Sequence, residues 1–359
     1  MSAREAINKL ASLGASVLKQ VESGESPHLD VPIRSLSNVI YDERTGIIKL
    51  GDKKSKRFFL NVAHSKRFMQ TLLVAAKCKE LLEEGIHTSL RELFYNLKRT
   101  IEGSNENTFD EESESNAVIE DLEVMLDLLR EQLHLNADPK GRVVGEVTIV
   151  DAGDEIHLDK LGTGGWHIPS NVEDIKFKRV NAKFVLVVEK DAIWERLNED
   201  KFWKKHKCVL ISTKGQAARG ARRFIKRISE EFSLPVYVFT DSDPYGWYIY
   251  SVIKSGSMNL AYMSSKLATT HAKFIGLTMS DVIKYKLKKW TIKATDYDLK
   301  RASELARYRW FKHALWQREI KLMLEKKYKA ELEALAARGL RFVSEVYLPE
   351  KIASKDFLP

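Results

Sequence analysis

The chain has 359 residues, 44% hydrophobic and 30% charged, a globular composition that excludes a disordered chain, a collagen and a minimal disulfide scaffold. Its two cysteines, Cys78 and Cys208, include no CxxC, which excludes a zinc–thiolate site, and no stretch resembles a signal-peptide h-region or an eighteen-residue apolar span, so a cytoplasmic protein without membrane contact is expected. The net charge of +9 is unevenly spread, with eleven acids and one base in residues 102–131 but seventeen bases and seven acids in residues 284–341. Such asymmetry suits a polyanion such as nucleic acid, and a solvated lysine-rich surface accounts for it as well.

In chain order, apolar residues at helical spacing predict an amphipathic helix over 3–22, from Ala6 to Val21. Residues 31–62 read as short strands separated by turns, and 1–63 form an N-terminal extension of a helix and β structure. Helices are predicted over 66–84, 89–101 and 116–134, with a polar acidic loop at 102–115. The turn Asp138–Gly141 and the apolar run 142–150 then predict a β-hairpin. Three helices and a hairpin make the pattern of a winged-helix DNA-binding domain over 64–150. Residues 151–182 read as a linker, and GTGGWH within them matches neither a P-loop nor a dinucleotide fingerprint. From 183 to 359, strands at 184–188, 208–212 and 235–240 alternate with helices at 192–197, 217–232 and 245–253. Residues 259–263 look strand-like, and 278–359 look helical and basic. This alternation predicts a mostly parallel sheet covered by helices. The fold class is mixed α/β: a winged helix, then an α/β domain with a helical C-terminal extension.

Two of these apolar strands end in acids. The first runs into Glu189, and the third into Asp241-Ser242-Asp243-Pro244. Residues i and i+2 of an extended chain share one side, and open α/β sheets place their sites at the carboxyl ends of parallel strands. If the two strands are neighbours, Glu189 joins Asp241 and Asp243, and a hard cation such as Mg²⁺ relieves their mutual repulsion. Asp-Ser-Asp-Pro is also a good turn and helix cap. The second strand leads into Lys214-Gly215-Gln216-Ala217-Ala218-Arg219-Gly220, where glycines and a helix start favour an anion.

On a helical wheel of 89–101, Leu90, Leu93, Phe94, Leu97 and Ile101 share the core face, while Tyr95 lies off it among Arg91, Lys98 and Arg99. A tyrosine so placed can stack on a base, contact a phosphate or act as a nucleophile; it can equally be an ordinary surface tyrosine.

A strand-end glutamate with a later strand-end DxD resembles the Toprim domain of topoisomerases and primases. With a tyrosine-bearing winged helix upstream, the chain resembles the A subunits of type IIB DNA topoisomerases, a family that includes the meiotic double-strand-break transesterase. The resemblance runs from about residue 64 to the C-terminus, on SLRELFY, VVEKDA, STKGQ with the following arginines, FTDSDPYG and FIGLTMSDV. It implies that Tyr95 is the nucleophile forming a 5′-phosphotyrosyl link, that Arg91 assists at the phosphate, and that Glu189, Asp241 and Asp243 hold Mg²⁺. It also implies a homodimer with a composite active site and an A2B2 heterotetramer whose B subunit binds ATP. Lys98, Arg99, Arg142 on the wing, Lys214 and Arg219 are expected to contact the backbone of double-stranded DNA. Phe94 stands where many relatives have a second tyrosine, and Ala217 where proline is expected. The competing expectations are a break-forming transesterase without resealing, a non-catalytic winged-helix regulator and a metal-dependent Toprim nuclease.

Overall fold

Residues 3–359 are described by the computed structural model and fall into two units. The first comprises the chain up to residue 39 and residues 50–138; the second comprises 40–49 and 139–359.

The first unit is built on helices α1 (Ala3–Glu22), α2 (Val62–Glu84), α3 (Leu90–Leu97) and α4 (Glu112–Leu126). Their apolar faces meet in a core that includes Leu10, Val74, Cys78, Leu93, Phe94, Phe109, Val118 and Leu122. Caps set the ends. The Asn61 side chain accepts the Ala63 N–H at the start of α2, and Gly85 closes that helix at φ 68°, a left-handed conformation that glycine adopts without steric cost. Ser89 Oγ accepts the Glu92 N–H at 3.1 Å, fixing the start of α3. That helix ends at Lys98, earlier than its apolar spacing suggests, because Lys98 turns to extended backbone. Helix α4 starts inside the predicted acidic loop and stops at Asp127, at φ 48°. Part of the acidic run is neutralised within this unit: buried Asp121 lies 2.8 Å from Arg34 and 2.7 Å from Arg57.

The expected hairpin at 142–150 does not form. Strand β1 (Arg142–Val144) and strand β2 (Val147–Asp151) enter different sheets. β2 pairs with β3 (Asp154–His157) and with β5 (Lys176–Val180) in a three-stranded antiparallel sheet. β1 pairs with β4 (Trp166–His167) and with the strand Cys208–Ser212. The stretch read as a linker, 151–182, thus carries strands of two sheets. Alternating apolar residues specify a strand but not its partner, which is why the run looked like a hairpin.

The main sheet of the second unit adds β6 (Phe184–Val188), β7 (Cys208–Ser212), β8 (Val236–Phe239) and β9 (Lys273–Gly276), in the order β4-β1-β7-β6-β8-β9. The last four of these positions, β7, β6, β8 and β9, are mutually parallel. Their side chains alternate between two apolar layers. Val185, Val187, Val209, Ile211, Val236 and Val238 pack with Phe224, Trp247 and Trp316 on one face. Leu186, Val188, Leu210 and Phe239 pack with Trp194 and Tyr347 on the other. Burial on both faces explains the unbroken apolar runs in sequence. Helices α5 (Asp191–Glu199), α6 (Arg219–Glu231) and α7 (Pro244–Ser255) follow β6, β7 and β8. The segment 259–263 is not a strand but a short 3₁₀ turn, Ala261–Met263, leading into the helix Ser264–Leu267; the sheet's edge is instead β9. No helix among the described residues is long and apolar enough to cross a membrane.

Candidate active site

Strands β6 and β8 are hydrogen-bonded neighbours, and the Glu189 N–H donates to the Phe239 carbonyl at 3.0 Å. Parallel register therefore brings Glu189, Asp241 and Asp243 to one end of the sheet, where the chain leaves β6 and β8. Burial, then the neighbouring charges of Asp241 and Asp243, push the Glu189 carboxyl up to about 7. Burial pushes Asp241 up to about 6 against the pull of Lys190, and raises Asp243 as well. Three carboxyls with raised pKa values at one sheet end mark a candidate functional site.

Each acid has distinct surroundings. Glu189 Oε2 is buried and has no hydrogen-bond partner. Asp243 caps α7, its Oδ1 accepting the Gly246 N–H at 2.7 Å, with Pro244 in the first turn. The cap foreseen for this tetrapeptide forms, on a side chain that was also expected in the acid cluster. Gly246 is required here: a Cβ would lie 2.5 Å from the Asp241 carbonyl oxygen. Asp241 Oδ1 accepts the Leu332 N–H at 2.8 Å, while Oδ2 lies 3.1 Å from Lys190 Nζ.

Among the described residues, no three His, Cys, Asp or Glu side chains are grouped to hold a metal ion. Asp241 is engaged by Lys190 and Asp243 by its helix. The donor chemistry nonetheless fits a hard cation: the three side chains offer only oxygen, and Glu189 Oε2 is orphaned. The turn after β7 runs alongside, with the Gly215 N–H donating to the Glu189 carbonyl at 2.9 Å. Exposed Lys214, at φ 51°, lies in this turn 3.8 Å from Asp191. Arg219 begins α6 and reaches Tyr262 Oη at 3.3 Å.

In the first unit, Leu93 and Phe94 are buried while Tyr95 is 60% exposed, as the wheel of α3 predicts. The Arg91 guanidinium lies 5.9 Å from the Tyr95 ring centre, and its hydrogen bond to Tyr95 raises the arginine's pKa. Lys98 turns back onto the loop, donating to the Asp110 carbonyl at 3.0 Å, and Arg99 is exposed.

Arg142 is a correction. It was expected on a solvent-facing wing, but β1 lies in the main sheet and Arg142 is 7% exposed. Its Nη2 lies 2.7 Å from Asp191 and 2.8 Å from Glu195, and its guanidinium stacks 4.0 Å from the Trp194 ring centre. Both its charge and its planar face are taken up internally. Lys190 and the strap that carries Glu331 and Glu333 were missed in the sequence, because residues 141 and 143 positions away carry no local signal.

Three family models match the chain. Residues 66–135 match one described as type IIB DNA topoisomerase, and residues 140–181 match the all-beta domain in DNA topoisomerase VI alpha subunit. Residues 184–352 match the Toprim domain shared by Spo11 and the A subunit of topoisomerase 6. A similar protein, named as the A subunit of type 2 DNA topoisomerase 6, occurs in Pyrococcus abyssi, at 50% identity over 99% of this chain and 96% of the relative. Proteins of the same name in Hyperthermus butylicus and Methanocaldococcus jannaschii are 47% and 39% identical, over 95% and 96% of this chain and 93% of each relative.

Proposed function

The chain belongs to the family of Spo11 and the topoisomerase 6 A subunits, and from that premise we propose that it cleaves DNA through Tyr95 with Mg²⁺ held by Glu189, Asp241 and Asp243. It is the catalytic subunit of a type IIB DNA topoisomerase. The observation that carries the site assignment is the convergence of three raised-pKa carboxyls at adjacent parallel strand ends, one with an orphaned buried oxygen.

The part proposed for the tyrosine rests on the family resemblance, and its exposure and its contact with Arg91 support it. The Tyr95 hydroxyl gives up its proton and its oxygen attacks a DNA phosphorus. The bond to the 3′-oxygen breaks, that oxygen takes up a proton, and a 5′-phosphotyrosyl ester remains. Arg91 donates hydrogen bonds to the phosphate oxygens and to the forming phenolate. The ester conserves the phosphodiester bond, so the reverse attack by the 3′-hydroxyl reseals the strand. Bound Mg²⁺ supplies charge neutralisation and orientation at the phosphate. Lys98, Arg99, Lys214 and Arg219 are proposed to contact the DNA backbone; Arg142 is not among them. Helices α2–α4 are proposed to dock as a helix-turn-helix of the winged-helix type, α3 leading, without the wing expected at 142–150.

Double-strand cleavage needs two tyrosines. The proposed assembly is therefore a homodimer, the tyrosine of one protomer served by the carboxylates of its partner, joined by two ATP-binding B subunits in an A2B2 heterotetramer. The test uses the purified chain, a competent B-type partner, Mg²⁺, a non-hydrolysable ATP analogue and supercoiled plasmid, quenched with denaturant. A 5′-linked adduct in wild type that disappears in Tyr95→Phe is expected, and adding ATP then yields relaxation rather than accumulated breaks. Because Tyr95 is exposed, the variant's stability stays within about 0.5 kcal/mol of wild type. Cleavage surviving Tyr95→Phe would instead identify a Toprim nuclease.

A further inference from the structure

Resting on that metal assignment, we propose that Lys190 is a built-in counter-cation that occupies Asp241 until a divalent ion arrives and is then handed to Glu331 and Glu333. Lys190 directly follows Glu189 and forms the N-cap of α5. Its Nζ lies 3.1 Å from Asp241, 3.1 Å from Glu331 and 2.6 Å from Glu333. An ammonium has three N–H donors, and here three carboxylates face it.

The two oxygens of Asp241 are not equally available. Oδ1 accepts the Leu332 N–H at 2.8 Å, and the strap bearing Leu332 is stitched to the same loop. The Ser242 N–H donates to the Ala330 carbonyl at 2.8 Å, and the Ala330 N–H donates back at 3.2 Å. Freeing Oδ1 would require lifting this backbone. Freeing Oδ2 requires only that a flexible lysine stem swing aside. Asp241 is 7% exposed, whereas the Glu331 and Glu333 side chains are 47% and 49% exposed. Both glutamates already touch Nζ, so the ammonium keeps two partners once it leaves Asp241. A buried carboxylate is thus never left bare, and binding the ion does not strand an unpaired lysine. Lys190 and the divalent ion compete for one oxygen, and the strap supplies the lysine's second position.

The test measures Mn²⁺ binding to the full-length protein by electron paramagnetic resonance, with melting temperature in chelator as a second readout. Lys190→Met is expected to bind Mn²⁺ on the order of tenfold more tightly, the scale of an ordinary coupling between two ligands of one site. In chelator the same variant melts lower than wild type. Lys190→Arg keeps the charge and the wild-type affinity. The pair Glu331→Gln/Glu333→Gln weakens Mn²⁺ binding in wild type but leaves it unchanged in the Lys190→Met background, because the two glutamates act through the lysine. If Lys190→Met weakens Mn²⁺ binding or leaves it unchanged while Asp241→Asn abolishes it, the lysine does not compete and the proposal falls with the metal site intact. If Mn²⁺ affinity is indifferent to both Glu189→Gln and Asp241→Asn, the metal assignment falls and takes this inference with it.

Discussion

Glu189 is a single side chain that carries a cost of burial, one that the proposed divalent ion would offset. Its carboxyl moves from an ordinary value of 4.5 to about 7, first through burial and then through Asp241 and Asp243. Between those two pH values the folded chain holds a proton that the unfolded chain has shed. The stability tied to that proton is fully present below about pH 4.5 and lost as the pH rises to about 7. Asp241, raised to about 6, adds a loss of the same sign. In chelator, Glu189→Gln is therefore expected to melt several degrees above wild type at pH 8 and level with it at pH 4. A melting series across that range checks it; a stabilisation greatest in acid would mean that the cause assigned to the shift is wrong. The same protons compete with a divalent ion, so Mn²⁺ affinity should fall as the pH drops below about 7.

At the scale of elements, Asp243 joins the site to helix α7, because the carboxylate that faces Glu189 also caps that helix. The two roles separate by substitution. Asparagine caps as well as aspartate and carries no charge, so in chelator at neutral pH Asp243→Asn is expected to melt no lower than wild type while weakening Mn²⁺ binding. Asp243→Ala loses the cap too, at about 1 kcal/mol of stability. Equal melting temperatures for the two variants would remove the cap from the account. Elements whose partners are implied by composition were legible in sequence. FVLVV, CVLIS and VYVF, short, rich in β-branched residues and alternating with helical stretches, read as interior parallel strands, and the ends of the first and third located Glu189, Asp241 and Asp243. The wheel of α3 separated Tyr95 from Phe94 for the same kind of reason, one period matched to one face. What the sequence withheld was partner choice. Arg142 sits in a run that reads as strand whichever sheet receives it, and only the pairing of β1 with β7 shows that its charge is engaged by Asp191 and Glu195. The edge strand Lys273–Gly276 is as long as VYVF, but a lysine and a glycine at its ends leave only Phe274 and Ile275 as an apolar run. Lys190 is one cation among many until the strap at 330–333 is in place.

For the whole molecule, the charge asymmetry and the division into units need separate explanations. The acidic run is partly structural, because Asp121 meets Arg34 and Arg57 inside the first unit. The first unit has its own apolar core around Leu93, Phe94 and Leu122, and the second is layered on both faces of its sheet. The chain does not pass between the units just once. Residues 40–49 leave the first unit, fold with the second and return. Within the second unit, Tyr41 packs 5.5 Å from Trp310, and Glu43 lies 3.4 Å from Arg309. Severing the chain between Asp138 and Pro139 therefore yields a first fragment that still carries a piece of the second one's fold. Co-expressed as separate polypeptides, 1–138 and 139–359 are expected to co-purify, and replacing 40–49 by a Gly/Ser stretch in the first should weaken their association. Capture unaffected by that replacement would show that residues 40–49 contribute nothing to it. If the halves do co-purify, the excursion is a splint sewn into the chain, by which a nicked molecule holds together when the backbone no longer does.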